Sequence, residues 1–209
     1  MDPERELVLS YALPPARAGL AALLALNDRL RGIVRAARDP TIGLMRLTWW
    51  GDALVRLDTA PPPAEPLLQD LVAAVLPNGV KGADLESLVD GWARLLEPDD
   101  IELDLFGREV GEKLFGAACT LLGASDVGVV QAGRAWALAQ LAAERPALLD
   151  NARARADLAL ANAFRRPWPG ALRALGALSL LARFDLSGTS RPGSPRRVAR
   201  LFVHGLTGR

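Results

Sequence analysis

The stretch NDRLRGIVRAARDPTIGLMRLTWWGDAL, residues 27–54, predicts two consecutive helices and no strand. Apolar residues recur every three or four positions on both sides of a break, and this is the spacing of one helix face. At the break, Asp39 and Pro40 supply an N-cap and a proline at the first helical position. The fold of the chain therefore includes a pair of amphipathic helices joined by a short connection.

The same helical spacing continues through the rest of the chain, without the alternation typical of strands. Proline and glycine clusters separate the segments, and none is long enough to link two domains. The predicted helices cover residues 20–34, 40–57, 66–76, 85–96, 101–122, 127–144, 147–164, 168–183 and 195–206. We therefore expect one all-α domain over residues 1–209, a bundle of about eight or nine helices.

Composition and charge narrow the class of function. The net charge of the 209-residue chain is +1, which argues against a nucleic-acid partner bound through bulk electrostatics. The single cysteine excludes an internal disulfide and fits a reducing compartment. The longest uncharged run, residues 114–125, is too short to span a bilayer, and no signal peptide is evident. We expect a cytoplasmic protein, with peripheral membrane contact left open.

Two adjacent tryptophans stand in the helix that follows Asp39. Trp49 shares a helix face with Met45 and Ala53, so we expect its large ring to lie in the core. Arg46 precedes Trp50 by four residues, so its guanidinium is expected to lie over the Trp50 indole. The helix would then have an apolar inner face and a charged rim.

Three arginines upstream of the tryptophans have helical spacing. Arg31, Arg35 and Arg38 stand at i, i+4 and i+7 and would share one stripe. Such a stripe is either a solvated charged face or a surface that binds an anion such as a diphosphate. A guanidinium offers no lone pair, so these residues cannot hold a divalent metal.

The residue types that usually carry catalysis form no constellation in this sequence. The acidic cluster at residues 99–104 starts a helix, where carboxylates complement exposed amides, although paired aspartates can also hold Mg²⁺. His204 is the only histidine and has no serine or cysteine partner nearby in sequence. Cys119 lies in an apolar run typical of a core. We therefore predict no catalytic residue and no metal site.

Three segments resemble the squalene/phytoene synthase family of head-to-head prenyl synthases. PTIGLMRLTWWGDAL (40–54) resembles the stretch after the first aspartate-rich helix of that family. DLFGREVGEKLFGAACTLLG (104–123) and GRAWALAQLAAE (133–144) resemble later family segments in the same order. The resemblance implies an isoprenoid-synthase-like helical bundle, prenyl diphosphate substrates and Mg²⁺ held by two aspartate-rich motifs.

Both aspartate-rich motifs depart from the family's pattern here. Arg31, Gly32 and Arg35 stand at the first motif, and Gln140, Ala143, Glu144 and Leu148 stand at the second. Only Glu144 could still coordinate a metal, and one carboxylate is a poor Mg²⁺ site. A diphosphate could instead be gripped directly by guanidinium groups. The candidate ligand-binding residues are therefore Arg31, Arg35, Arg38, Gln140 and Glu144.

The lost aspartates favour a binding protein over an enzyme. The chain is similar to a non-catalytic branch of the family, the complex I assembly factor, whose motifs are also degraded. This similarity implies a partner protein in a membrane-associated complex, or an isoprenoid that is held without conversion, and no cofactor. The alternative is a prenyl diphosphate transferase of squalene or phytoene type, which would need Mg²⁺. A third interpretation is a lipid or diphosphate carrier with an apolar cavity between its helices.

Overall fold

The computed structural model describes residues 3–97, 101–124 and 126–209, and over these residues it has ten helices and no strand. The helices are α1 (Pro3–Ser10), α2 (Pro14–Ala36), α3 (Pro40–Arg56), α4 (Pro66–Ala74), α5 (Gly82–Ala93), α6 (103–121), α7 (Val127–Glu144), α8 (Leu149–Ala163), α9 (Arg173–Ser187) and α10 (Pro195–Thr207). The all-α prediction is confirmed. The helix that apolar spacing did not predict is α1, because three charged residues interrupt its short apolar face. Within the described ranges, no helix has the length and apolarity needed to cross a membrane.

Side-chain caps and prolines fix where several helices begin. Asp39 Oδ1 accepts a hydrogen bond of 2.8 Å from the Thr41 amide, and Pro40 is the first helical residue of α3. Asp126 Oδ1 accepts hydrogen bonds from the next free amides of α7, at 2.8 and 3.1 Å. These carboxylates satisfy amides that have no partner inside the helix. The predicted start at Asp39 and Pro40 is confirmed.

α6 is one continuous helix in three parts. An α-helical start (Leu103–Phe106) leads into a π-helical middle (Gly107–Glu112) and an α-helical end (Lys113–Leu121). Asp104 lies in the first turn, where its charge complements the exposed amides. Asp99 and Asp100, the other aspartates of the acidic cluster, lie outside the described residues.

The centre of the bundle is a direct backbone contact between α6 and α7. A Cβ on Gly111 would overlap the Gly133 carbonyl, and a Cβ on Gly133 would overlap the Gly111 carbonyl. The rings of Phe115 and Trp136 lie beside this contact, with centroids 5.8 Å apart. α7 also packs against α8 and α9, while α3 packs along α5 and α2 contacts α4, α5 and α6. The helices are therefore arranged around α6 and α7.

The tryptophan prediction for α3 is wrong. Trp50 is the buried ring, at 4% exposure, whereas Trp49 is 47% exposed. The inward face of α3 is set by Leu47, Trp50 and Leu54, which follow one another at i, i+3 and i+7. The guanidinium near the Trp50 ring belongs to Arg29 of α2, 5.6 Å from the ring centroid, and not to Arg46. The apolar spacing correctly predicted that this segment is a helix, but the face assigned to the core was the neighbouring one, which contains Trp49.

Two ion pairs of the buried Arg197 side chain hold the C-terminal helix against the rest of the bundle. The Arg197 side chain of α10 is fully buried, with Nε 2.9 Å from Glu4 Oε1 of α1 and Nη1 2.5 Å from Asp185 Oδ1 of α9. The Tyr11 hydroxyl donates a 2.9 Å hydrogen bond to the Leu201 carbonyl. These contacts join the two ends of the described chain and fix one face of α10 against the body.

His204 is buried on the same inward face of α10. Its Nε2 lies 3.1 Å from the Arg173 carbonyl oxygen, at the contact with Gly176 of α9. Burial is the main cause that lowers the pKa of His204 below its ordinary value. The folded state therefore keeps His204 neutral where the unfolded chain would protonate it.

We predict that a side chain at the α6–α7 contact destabilises the fold. Gly111→Ala should lower the free energy of unfolding by at least about 2 kcal/mol, because the new methyl group overlaps backbone that cannot yield. The matched control is Gly116→Ala in the same helix, where no atom lies within 4 Å of the new Cβ. The control should be neutral or stabilise by up to about 1 kcal/mol. Urea unfolding measures both, and equal midpoints for the two variants would contradict the contact.

We also predict an acid-linked loss of stability that depends on His204. The unfolded state takes up a proton near pH 6.5 while the folded state does not. The free energy of unfolding is therefore at its full value above that pH and decreases as the pH is lowered further. The slope should reach at most about 1.4 kcal/mol per pH unit between pH 7 and pH 5.5. Urea unfolding of the wild type and of His204→Gln gives the comparison. A variant that keeps the wild-type slope would show that another group is responsible.

Candidate functional site

The candidate site lies where the C-terminal ends of α2 and α7 face each other. Arg31 Nε donates a 2.6 Å hydrogen bond to Glu144 Oε1, and Arg31 Nη1 donates one of 2.5 Å to Gln140 Oε1. Gln140 and Glu144 are one helical turn apart on α7, so one guanidinium reaches both. The structure thus brings together three of the five candidate residues, from helices more than a hundred residues apart in sequence.

The Arg31–Glu144 pair is largely shielded from water. The Glu144 side chain is 9% exposed and the Arg31 side chain 25% exposed. Charge-assisted hydrogen bonds of this length are among the stronger ones in proteins, and shielding keeps salt from weakening them. The charge of Arg31 is therefore compensated inside the protein, and its Nε and Nη1 donors are occupied.

Arg35 and Arg38 do not join this cluster. Arg35 is exposed on the last turn of α2. Arg38 lies beyond the end of α2 at Ala36, because the backbone becomes extended at Ala37 before Asp39 caps α3. The prediction that all three arginines share one helical stripe is wrong for Arg38. Anion binding by these residues remains a prediction.

Glu109 and Glu112 of α6 are also paired with arginines from outside α6, and sequence reasoning missed both pairs. The Arg94 guanidinium binds both Glu109 oxygens, with Nε–Oε2 at 2.7 Å and Nη2–Oε1 at 2.9 Å. These hydrogen bonds hold the pKa of Arg94 above its ordinary value. Arg134 Nε of α7 donates a 2.6 Å hydrogen bond to Glu112 Oε1 of α6. The chain has many more arginines than lysines, and this excess could have indicated such pairs, since only arginine binds a carboxylate through two parallel hydrogen bonds.

Comparison with known proteins now assigns the chain to a family. The sequence model described as squalene/phytoene synthase matches residues 2–161. The chain belongs to the squalene/phytoene synthase family. Neither the curated proteins nor the solved structures compared with it contain a match. The match covers α1 to α7 and most of α8, whereas α9 and α10 lie beyond it.

The side chains at the positions that the resemblance aligns with the family's two motifs do not fit Mg²⁺. Mg²⁺ prefers carboxylate and water oxygens in octahedral geometry. At these positions the one carboxylate, Glu144, is bound by a guanidinium instead. In the part of the chain that the structure describes, no group of three or more histidine, cysteine, aspartate and glutamate side chains could hold a metal. Cys119 is also unsuited to act as a nucleophile or a metal ligand, because burial raises the pKa of its thiol to about 11.

The chain's own side chains fill the space between α2, α5 and α6. Trp92 Nε1 donates a buried 3.0 Å hydrogen bond to Asn27 Oδ1, one turn before Arg31 on α2. The Trp92 ring meets Phe106 edge to face, with centroids 5.2 Å apart. Asn27, Trp92 and Phe106 have no solvent-accessible surface, so no water-sized space adjoins them. This region offers no open channel for a long apolar ligand.

We predict that Arg31 contributes to stability through Glu144. Arg31→Met should lower the free energy of unfolding by about 1–3 kcal/mol, because it leaves a shielded carboxylate without its donor. Arg35→Met is the matched control on the next turn of α2 and should change stability by less than about 0.5 kcal/mol.

A double-mutant cycle then isolates the pair. Glu144→Gln in the Arg31→Met background should cost less than Glu144→Gln in the wild type, because the charge it removes no longer has a partner. Strictly additive effects in urea unfolding would show that the two side chains do not interact.

Proposed function

We propose that this chain is a non-catalytic member of the squalene/phytoene synthase family that acts by binding a partner protein. The observation that carries the proposal is the bridge from Arg31 to Glu144 and Gln140. It joins the two helices whose motif positions would have to hold metal ions in an active family member.

The chemistry of the family explains why this bridge argues against turnover. Ionisation of an allylic diphosphate needs positive charge on the leaving group, supplied by metal ions on opposed carboxylates. The guanidinium of Arg31 is positive but is already compensated by Glu144 at 2.6 Å. A diphosphate that took the Arg31 donor now bound to Glu144 would leave a shielded carboxylate unpaired, which is unfavourable.

The filled bundle and the outer surface favour a protein partner over an enclosed isoprenoid. Asn27, Trp92 and Phe106 leave no space beside them for an apolar chain. Ile42, Met45 and Trp49, in contrast, are exposed along one side of α3 at i, i+3 and i+7. A contiguous exposed apolar stripe is typical of a protein–protein contact. The similarity to the assembly-factor branch suggests a role in building or stabilising a membrane-associated complex.

Diphosphate release from farnesyl and geranylgeranyl diphosphate, with and without Mg²⁺, tests the absence of catalysis. We expect no Mg²⁺-dependent release and no hydrocarbon product on extraction from the folded protein. Magnesium-dependent release coupled to a hydrocarbon would contradict the proposal and support the alternative, a prenyl diphosphate transferase. No cofactor is expected, so millimolar Mg²⁺ should leave the thermal unfolding midpoint unchanged.

Binding of farnesyl diphosphate separates a protein-binding role from an isoprenoid-binding one. We expect no saturable binding by calorimetry. Saturable binding that Arg35→Glu weakens, and that Arg56→Glu on the exposed side of α3 leaves unchanged, would instead support a diphosphate carrier that uses the exposed arginines.

A further inference from the structure

We infer that the outward face of α10 binds an anionic membrane surface. This α10 outer face consists of Val198, Phe202, Val203 and Leu206, and all four side chains are exposed. Phe202 is 59% and Leu206 64% exposed, although a surface helix normally directs polar residues outward. α10 lies beyond the residues that match the family model, so the inference concerns a part of the chain that the proposed function does not use.

The geometry of α10 separates its buried and exposed apolar residues. Arg197, Leu201 and His204 form the buried face. At about 100° per residue, Phe202 and Leu206 point away from that face, toward solvent. The ion pairs of the buried Arg197 guanidinium with Glu4 and Asp185 hold the inner face of α10 against the body. The packed inner face of α10 therefore leaves the apolar side chains of its outer face toward solvent.

The charged side chains of the C-terminal segment that carries the outer face are all positive. Residues 186–209 contain five arginines and no aspartate or glutamate. Arg197 is buried and paired, whereas Arg191, Arg196, Arg200 and Arg209 are exposed. Arg196 and Arg200 stand one turn apart and border the apolar side chains on α10. The nearby carboxylates of Glu4 and Asp185 are both bound to Arg197.

Apolar side chains bordered by arginines match an anionic lipid surface better than a protein groove. An amphipathic helix in the membrane interface buries its apolar face at the level of the headgroups, and basic residues at its edge contact lipid phosphates. A protein partner would need an acidic rim around an apolar groove, and a second copy of this chain would bring the same positive charge to the contact without a matching carboxylate in this segment. The charge complementarity therefore favours lipid.

Co-sedimentation of the full chain with phosphatidylcholine vesicles, with or without phosphatidylserine, tests the inference. Binding should be at least about tenfold stronger with phosphatidylserine. Phe202→Asp should weaken binding at least about tenfold, and Arg200→Gln about fivefold. The matched control is Leu158→Asp on α8, which is also exposed and lies outside the α10 outer face, and it should leave binding unchanged. All three positions are exposed, so circular dichroism and the unfolding midpoint should stay at wild-type values.

Three results would overturn the inference. One is wild-type protein that stays in the supernatant with phosphatidylserine vesicles, and another is equal binding to both vesicle types. The third is a Leu158→Asp variant that binds as weakly as Phe202→Asp. If light scattering shows a dimer that Phe202→Asp dissociates, and vesicles bind neither form, the face is an interface between copies of the chain. None of these results depends on whether the protein releases diphosphate.

Discussion

The contact between the backbones of α6 and α7 fixes where the charged side chains of α7 meet their partners. It exists because Gly111 and Gly133 face each other, and either Cβ would push the two helices apart. α7 carries Arg134 and Glu144, which pair with α6 and α2 respectively. Hydrogen bonds of 2.6 Å tolerate little displacement. These two pairs therefore depend on the distance at which α7 packs against α6 and α2.

Once α7 is in place, arginines neutralise the carboxylates that face the interior. Glu109, Glu112 and Glu144 are each bound by a guanidinium from another helix. Isolated carboxylates in these partly buried positions would be costly, and metal ions would be one way to compensate them. Here fixed cations from the chain supply the compensation instead. These ion pairs therefore help to hold the helices together.

Patterns local to one helix could be predicted from the sequence, whereas relations between helices could not. Apolar spacing and the Asp39 cap gave the helices, because both act within a few residues. The same spacing failed for Trp49 and Trp50, since two adjacent rings lie on neighbouring faces and the packing of α3 against the other helices decides which is buried. Arg31, Gln140 and Glu144 were named from the family's motif positions, but that they bind one another depends on tertiary packing. Arg38 was misplaced because α2 ends before it.

The region around Trp92 is filled by side chains, whereas α3 and α10 each carry large apolar side chains on the surface. Burying exposed apolar side chains is favourable by roughly 25 cal/mol per Å², so a folded chain that keeps Phe202, Leu206 and Met45 outside forgoes that stabilisation. These side chains are not simply misplaced, because the opposite face of each helix is fully packed. Two helices that each present a packed face and an apolar outer face are suited to contact something outside the molecule. The proposed protein partner and the inferred membrane contact both fall on these outer faces, of α3 and α10 respectively.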